Sequence, residues 1–245
     1  MTKSQFRYLP QTRIVIIVGN FGSGKTEVSV HLALHLSQAH AVQIVDLDIV
    51  NPYFRCREAR EEMEAHGITV TYPKGEFHSA DLPIILPEMK SAAAVKEGYI
   101  IFDVGGDDMG ARVLSSLADV MADQPYSMLQ VINTSRPFTR DVAGCIKMKD
   151  EIEAASRLKV TGVIANTHLM DQTESANIKE GIEVARAVAA QAGLSLEFST
   201  IDPTFGKELN DIYKDIPLLP IERRMLPPWR LRSMTDKAGR ILKKN

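Results

Sequence analysis

The densest chemical signal in the chain is Gly19-Asn20-Phe21-Gly22-Ser23-Gly24-Lys25-Thr26, with Glu27 directly after it. The stretch fits G-x-x-x-x-G-K-[ST], and residues 13–18 before it read as an apolar strand. Glycines at this spacing let the backbone curl so that successive N–H groups face an anion. The N-terminus of the helix that follows adds partial positive charge. Lys25 is then expected to bridge β- and γ-phosphates and the Thr26 hydroxyl to ligate Mg²⁺. Two acidic clusters would face this loop, Asp46-Leu47-Asp48 and Asp103-Val104-Gly105-Gly106-Asp107-Asp108. Strand alternation sets Asp46 and Asp48 on one side of the chain. Asp103, after four apolar residues, suits a magnesium-water ligand, and the Gly106 N–H could sense a γ-phosphate. Either cluster alone reads as helix caps or loop polar groups. Beside a phosphate loop they read as a magnesium–triphosphate site, with metal ligands Thr26, Asp46 and Asp103 and with Lys25 and Asp48 as catalytic groups.

Positioning such groups requires strands that end together. Apolar, β-branched runs occur at 14–18, 42–45, 68–72, 99–102, 128–132, 160–165, 196–199 and 216–219. Helical patterns lie between them at 25–38, 55–66, 87–96, 111–122, 139–158, 175–192 and 207–213. Alternation of this kind predicts an α/β fold of three layers, a mostly parallel sheet of seven or eight strands with helices on both faces. Ligands in such sheets sit at the strand C-termini. Residues 73–87 are the least regular part and read as a surface loop. The whole chain, 1–245, reads as one nucleotide-binding domain with a basic amphipathic tail at 227–245.

Composition narrows the field. The 245 residues are 44% hydrophobic and 24% charged, with a formal net charge of -2. Disordered, collagen-like and disulfide-scaffold classes are excluded, and the near-neutral charge gives no reason to expect nucleic acid as a partner. Two cysteines far apart, Cys56 and Cys145, form no zinc spacing and suit a reducing cytoplasm. The first dozen residues have no apolar run, so no secretory signal is expected.

The phosphate loop, the Asp-x-Asp and the Asp-x-Gly-Gly stretch together resemble the MinD/ParA/NifH group of P-loop ATPases, the CobQ/CobB/MinD/ParA nucleotide-binding family. Asp46-Leu47-Asp48-Ile49-Val50-Asn51-Pro52 resembles that family's first switch. Asn133-Thr134 through Arg140-Asp141 resembles the segment after its next strand. The resemblance covers residues 13–220. It implies ATP with Mg²⁺, contacts from Gly19 through Glu27, Gly106 and Asn166, an Asp48 that orients the attacking water, and a nucleotide-dependent homodimer. One departure stands out. The family's second lysine follows the first glycine of the loop, and here the next three residues are Asn20, Phe21 and Gly22. Asn20 carries no charge to reach a partner's phosphates, so Arg136 and Arg140 are the arginines best placed to substitute. Guanine-specific relatives carry Asn-Lys-x-Asp, and the matching place here is Asn166-Thr167-His168-Leu169. Leu169 lacks the clamp carboxylate, which favours ATP over GTP. Asp171, two residues on, leaves GTP open.

Weaker signals read more plainly. His31 and His35 share a helix face with no third ligand and are expected to be packed or on the surface. Cys56 and Cys145 are expected to be buried inert thiols, and residues 57–64 a solvated helix face. The tail, with basic groups around Leu231, Met234, Ile241 and Leu242, is expected to dock on its own sheet, a membrane contact being the alternative. The expected function is a slow Mg-dependent ATPase that switches an unidentified protein partner. Alternatives are an ATP-dependent small-molecule ligase or kinase, its acceptor pocket at 73–87 with Arg136 and Arg140, or a non-hydrolysing ATP-binding regulatory module.

Overall fold

Five consecutive apolar residues, Ile14–Val18, form β1, and all of them are buried. A strand with no polar face belongs in the middle of a covered sheet. In the computed structural model, which describes residues 6–48, 56–72, 97–106, 108–121 and 124–224, β1 lies near the middle of an eight-stranded sheet ordered β3-β2-β4-β1-β5-β6-β7-β8. The strands are β2 Val42–Leu47, β3 Thr69–Thr71, β4 Tyr99–Val104, β5 Tyr126–Ile132, β6 Gly162–Ala165, β7 Ser195–Ile201 and β8 Leu218–Pro220. Every neighbouring pair is parallel. The α/β expectation therefore holds, and the sheet is the P-loop NTPase architecture. The chain leaves β4 on one side of β1 and returns as β5 on the other, which makes the C-terminal end of β1 the topological switch point where ligands bind.

Both faces are covered. Val15 and Ile17 face α1 (Lys25–Leu36) and α2 (Arg60–Ala65), together with Ile44, Ile101 and the N-terminal Phe6 and Tyr8. Ile14, Ile16 and Val18 face α3 (Asp108–Ser115), α4 (Ala118–Met121) and α5 (Val142–Ser156). The far strands pack on α6 (Ser175–Ala192) and α7 (Gly206–Ile212) through Val163, Ala165, Ile182 and Leu209.

Several boundaries move for local reasons. β4 continues to Val104, so Asp103 sits within the strand. The helix expected from 139 starts at Val142, because Asp141 caps it by accepting the Gly144 N–H at 2.8 Å. The pattern at 111–122 divides into α3 and α4. The first switch from Ile49, the loop at 73–87, the helix at 87–96, Asp107 and the tail at 227–245 lie outside the described residues. No helix among the described residues is long and apolar enough to cross a membrane.

Candidate functional site

β1 delivers the chain into a loop shaped by glycines with positive φ. Gly19 has φ +147°, and a side-chain carbon there would lie 2.6 Å from the Val131 carbonyl oxygen. Gly24 has φ +88° and caps α1 in the left-handed conformation, where a side chain would collide with the Asn166 amide. Larger residues fit neither place. Within the loop, Ser23 N–H donates to Asn20 O at 3.1 Å. Lys25 is only 7% exposed, and its Nζ donates to the same Asn20 carbonyl at 3.0 Å. Gly106, just past β4, packs over the loop: a side-chain carbon there would lie 2.6 Å from Lys25 Nζ and 2.8 Å from Phe21 N. The glycine expected at the γ-phosphate thus abuts the lysine expected to bind it.

The carboxylates converge by strand register. Asp46 and Asp103 are partners across β2 and β4, on the face that α1 covers. Ser29, one turn into α1, donates to Asp103 Oδ1 at 3.0 Å. Asp103 Oδ2 is buried and meets no donor at hydrogen-bond geometry. Burial, reinforced by the charge of Asp46, raises Asp103 to about 7, while Lys25 and the nearby Thr26 hydroxyl pull the other way. Asp46 is fully buried, accepting from Arg57 Nε at 2.7 Å on one oxygen and from Asp48 N–H at 3.0 Å on the other. Burial raises its pKa and Arg57 opposes the rise. Arg57 also donates to Asp48 O at 2.9 Å. Residues 57–64 are therefore not simply a solvated face: the Arg57 side chain is 9% exposed because it neutralises Asp46. Asp48 is buried and lines the cleft.

This donor set fits a hard cation bound jointly with phosphate. No group of three or more His, Cys, Asp or Glu side chains could hold a metal alone among the described residues. Mg²⁺ habitually takes one or two protein oxygens and completes its octahedron with phosphate and water. Thr26 and Asp103 can supply protein ligands. Asp46, expected as a ligand too, has both oxygens accepting hydrogen bonds, from Arg57 and from Asp48 N–H.

A cleft of about 740 Å³ runs from the loop, Asn20 to Glu27, toward Ile201, Phe205 and Ile221. Asn166 braces it: Nδ2 donates to Ser23 O at 2.6 Å and Oδ1 accepts from the Thr200 hydroxyl. Its amide therefore supports the phosphate loop in addition to lining the cleft. Glu27 lines the cleft too, and accepts the Arg224 N–H at 2.8 Å. Arg136 Nε donates to Gly22 O at 2.8 Å, which puts a cation of the same chain on the loop, while Arg140 is exposed. His168, held to about 4 by burial and by Arg136 and Arg223, stays neutral beside Gly24. Asp171 is paired with Arg223 at 2.8 Å. A second cleft of about 310 Å³ lies across the loop, between Gly19, Asn20, Gly106 and the α5 residues Lys147, Met148 and Glu151.

The remaining sequence signals resolve simply. Cys56 and Cys145 are free and buried, with burial pushing the Cys145 thiol up to about 12. His35 stacks edge-on against Phe6 with ring centroids 4.7 Å apart. His31 is buried against Glu27 O at 2.9 Å. Arg57, Thr200, Arg223 and Arg224 carry no motif in the sequence; their partners lie on other elements.

Neither a protein-family model nor a curated protein sequence matches the chain. Solved structures do. The cell division protein FtsY of Thermotoga maritima is 21% identical with a TM-score of 0.54, over 82% of this chain and 65% of that one. The signal recognition particle receptor FtsY of Elizabethkingia anophelis, in complex with GDP, is 16% identical with a TM-score of 0.52, over 80% and 59%. The signal recognition particle 54 kDa protein of Aeropyrum pernix, in complex with GDP, is 18% identical with a TM-score of 0.50, over 81% and 43%. The chain thus spans less than two thirds of each of these proteins. At such identities the likeness is one of fold, a P-loop NTPase sheet, and it does not single out the MinD/ParA group.

Proposed function

We propose that the chain binds MgATP in the 740 Å³ cleft and hydrolyses it slowly, as a nucleotide-controlled switch for a protein partner. The observation that carries this reading is the buried Lys25, in a loop of left-handed glycines, beside a buried Asp103 carboxylate that lies near the Thr26 hydroxyl. Backbone N–H groups of residues 19–26 and the start of α1 would hold the phosphates. Lys25 would leave the Asn20 carbonyl for the γ-phosphate, which draws a buried cation more strongly than a neutral oxygen does. Thr26 and Asp103 would hold the metal, which supplies charge neutralisation at the phosphates, and Asp46 would hold Arg57. Asp48 would orient the attacking water, and Arg136, already on Gly22, would add a cation to the loop from within the same chain. Leu169 at the place of a guanine clamp supports ATP. Free buried thiols are in keeping with a reducing cytoplasm. A nucleotide-dependent homodimer remains part of the proposal, with the cis Arg136 standing where the family's second lysine is missing.

Phosphate release with and without Mg²⁺ tests the switch. Asp48→Asn should lower turnover about 100-fold with ATP affinity nearly unchanged, the pattern of a group used mainly in the transition state. Full turnover in Asp48→Asn removes its assigned role, and tight binding without phosphate release makes the chain a passive ATP-binding module.

One observation favours a second reading, transfer to a small acceptor. The 310 Å³ cleft shares Asn20 and Phe138 with the main cleft and borders Gly106, at the γ-phosphate end. ADP formation that depends on an added acceptor would support it.

A further inference from the structure

The far end of the main cleft contains a carboxylate held by an arginine. Asp171 and Arg223 both line the cleft, with Arg223 Nη2 donating to Asp171 Oδ1 at 2.8 Å. Arg223 Nη1 approaches Met170 Sδ at 3.2 Å, and Met170 carries a φ of +57°, rare for a residue with a side chain. That turn aims the next residue, Asp171, at Arg223. The arginine is fixed from both sides. Ile221 N–H donates to Ile201 O at 2.9 Å, and Arg224 N–H donates to Glu27 Oε1 at 2.8 Å, while the Arg224 guanidinium is bonded to Glu62. The segment 221–224 therefore borders the cleft, tied to β7, α1 and α2. With phosphates at Lys25, a nucleotide extended along the cleft puts its base at this end, beside His168, Asp171 and Arg223.

We propose that Arg223 determines which base the cleft accepts, by keeping the Asp171 carboxylate engaged and away from the base. The inference rests on the nucleotide reading above. Guanine presents two adjacent N–H donors on its pairing edge, and a carboxylate accepts both. Adenine presents a lone pair at the corresponding ring nitrogen, which an uncompensated carboxylate repels. An Asp171 neutralised by Arg223 neither attracts guanine nor repels adenine. Releasing Asp171 reverses both terms, so the ion pair sets the sign of the selectivity although neither partner belongs to the phosphate loop.

The test is competition titration of MgATP and MgGTP against the full chain, read as the ratio of their affinities. Arg223→Ala should shift the ratio toward GTP by about tenfold, the scale of one charge-assisted hydrogen bond. Arg223→Gln gives the same reading should the alanine variant fold poorly, and Arg223→Lys, which keeps the ion pair, should hold the wild-type ratio. Asp171→Asn placed in the Arg223→Ala background should restore the ratio, an outcome that a merely structural role for Arg223 does not produce. An unchanged ratio in Arg223→Ala and Arg223→Gln, or equal losses for both nucleotides, overturns the proposal. So does a wild-type preference for GTP that disappears in Asp171→Asn, since Asp171 would then already read guanine. Absence of any Lys25-dependent binding is a different failure, and takes away the nucleotide reading itself.

Discussion

The two ends of the cleft are built by different means. The phosphate end comes from one run of chain, and its shape follows from glycines at positive φ and bonds between near neighbours, such as Ser23 to Asn20 and Lys25 to Asn20. The far end is gathered from residues 166–171, 200–205 and 221–224. Its bonds join residues distant in sequence: Asn166 to Ser23, Arg223 to Asp171, and Arg224 to Glu27, Glu62 and His31. A local loop can bind phosphate almost irrespective of its surroundings. On the proposed reading, choice of base would depend on tertiary contacts that close the opposite end.

The contrast can be broken most strongly beneath the phosphate end. Arg57→Ala leaves Asp46 buried without its cation and should destabilise the fold by about 3–5 kcal/mol, as loss of one partner of a buried pair does. Urea denaturation at neutral pH measures it, and a loss below about 1 kcal/mol, the scale of an exposed pair, would mean that the pair is not structural.

Acid should act next, at the junction of the two ends. His31 is buried with Nδ1 at Glu27 O, 3.6 Å from the Glu27 carboxylate, and with Nε2 facing Arg224. Burial is the main cause that holds its pKa down to about 4, and the Arg224 charge adds to it. A histidine depressed in this way binds its proton more readily unfolded than folded. Its contribution to stability is complete above the ordinary value of about 6.5 and is lost as pH falls toward 4, up to roughly 3 kcal/mol. Stability measured from pH 7 to pH 4 in wild type and His31→Gln should differ in slope over that window, and parallel profiles would contradict the assignment.

A smaller effect is expected where the two ends meet directly. Asn166→Ala takes the amide donor from the Ser23 carbonyl and leaves the Thr200 hydroxyl only the Ala165 carbonyl at 3.4 Å, and should cost about 1–3 kcal/mol. It should also weaken ATP binding, because the loop loses its brace. Thermal melts with and without nucleotide check both effects. Unchanged affinity would make Asn166 a purely structural residue.

The same contrast governs what was legible in the sequence. Gly19 through Thr26 announces itself because contiguous residues make the phosphate loop, and the period of the apolar runs announces the parallel sheet. Asp103 was legible too, since a carboxylate closing an apolar strand needs a reason to be there. Arg57 reads in the sequence as one charge of an exposed helix face, because nothing in a sequence tells that it folds back onto the end of β2 to meet Asp46. Arg223 and Arg224 had no signal at all: their partners Asp171, Glu27 and Glu62 are remote in sequence, and only the return of the chain after β8 brings them together. Asn166 stands out in the sequence as a residue to read the base, while its tie to Ser23 depends on β6 ending beside the loop.

The central claim, that the glycine loop and Lys25 form a MgATP site, is tested most directly by calorimetric titration of MgATP into the wild-type chain and into Lys25→Ala. The expected result is saturable one-to-one binding to the wild type, with a stabilisation of about 2.7 kcal/mol at a hundredfold excess over Kd. Lys25→Ala should lose most of that affinity while remaining folded. Equal binding by both proteins, or none by the wild type in the presence of Mg²⁺, would contradict the account.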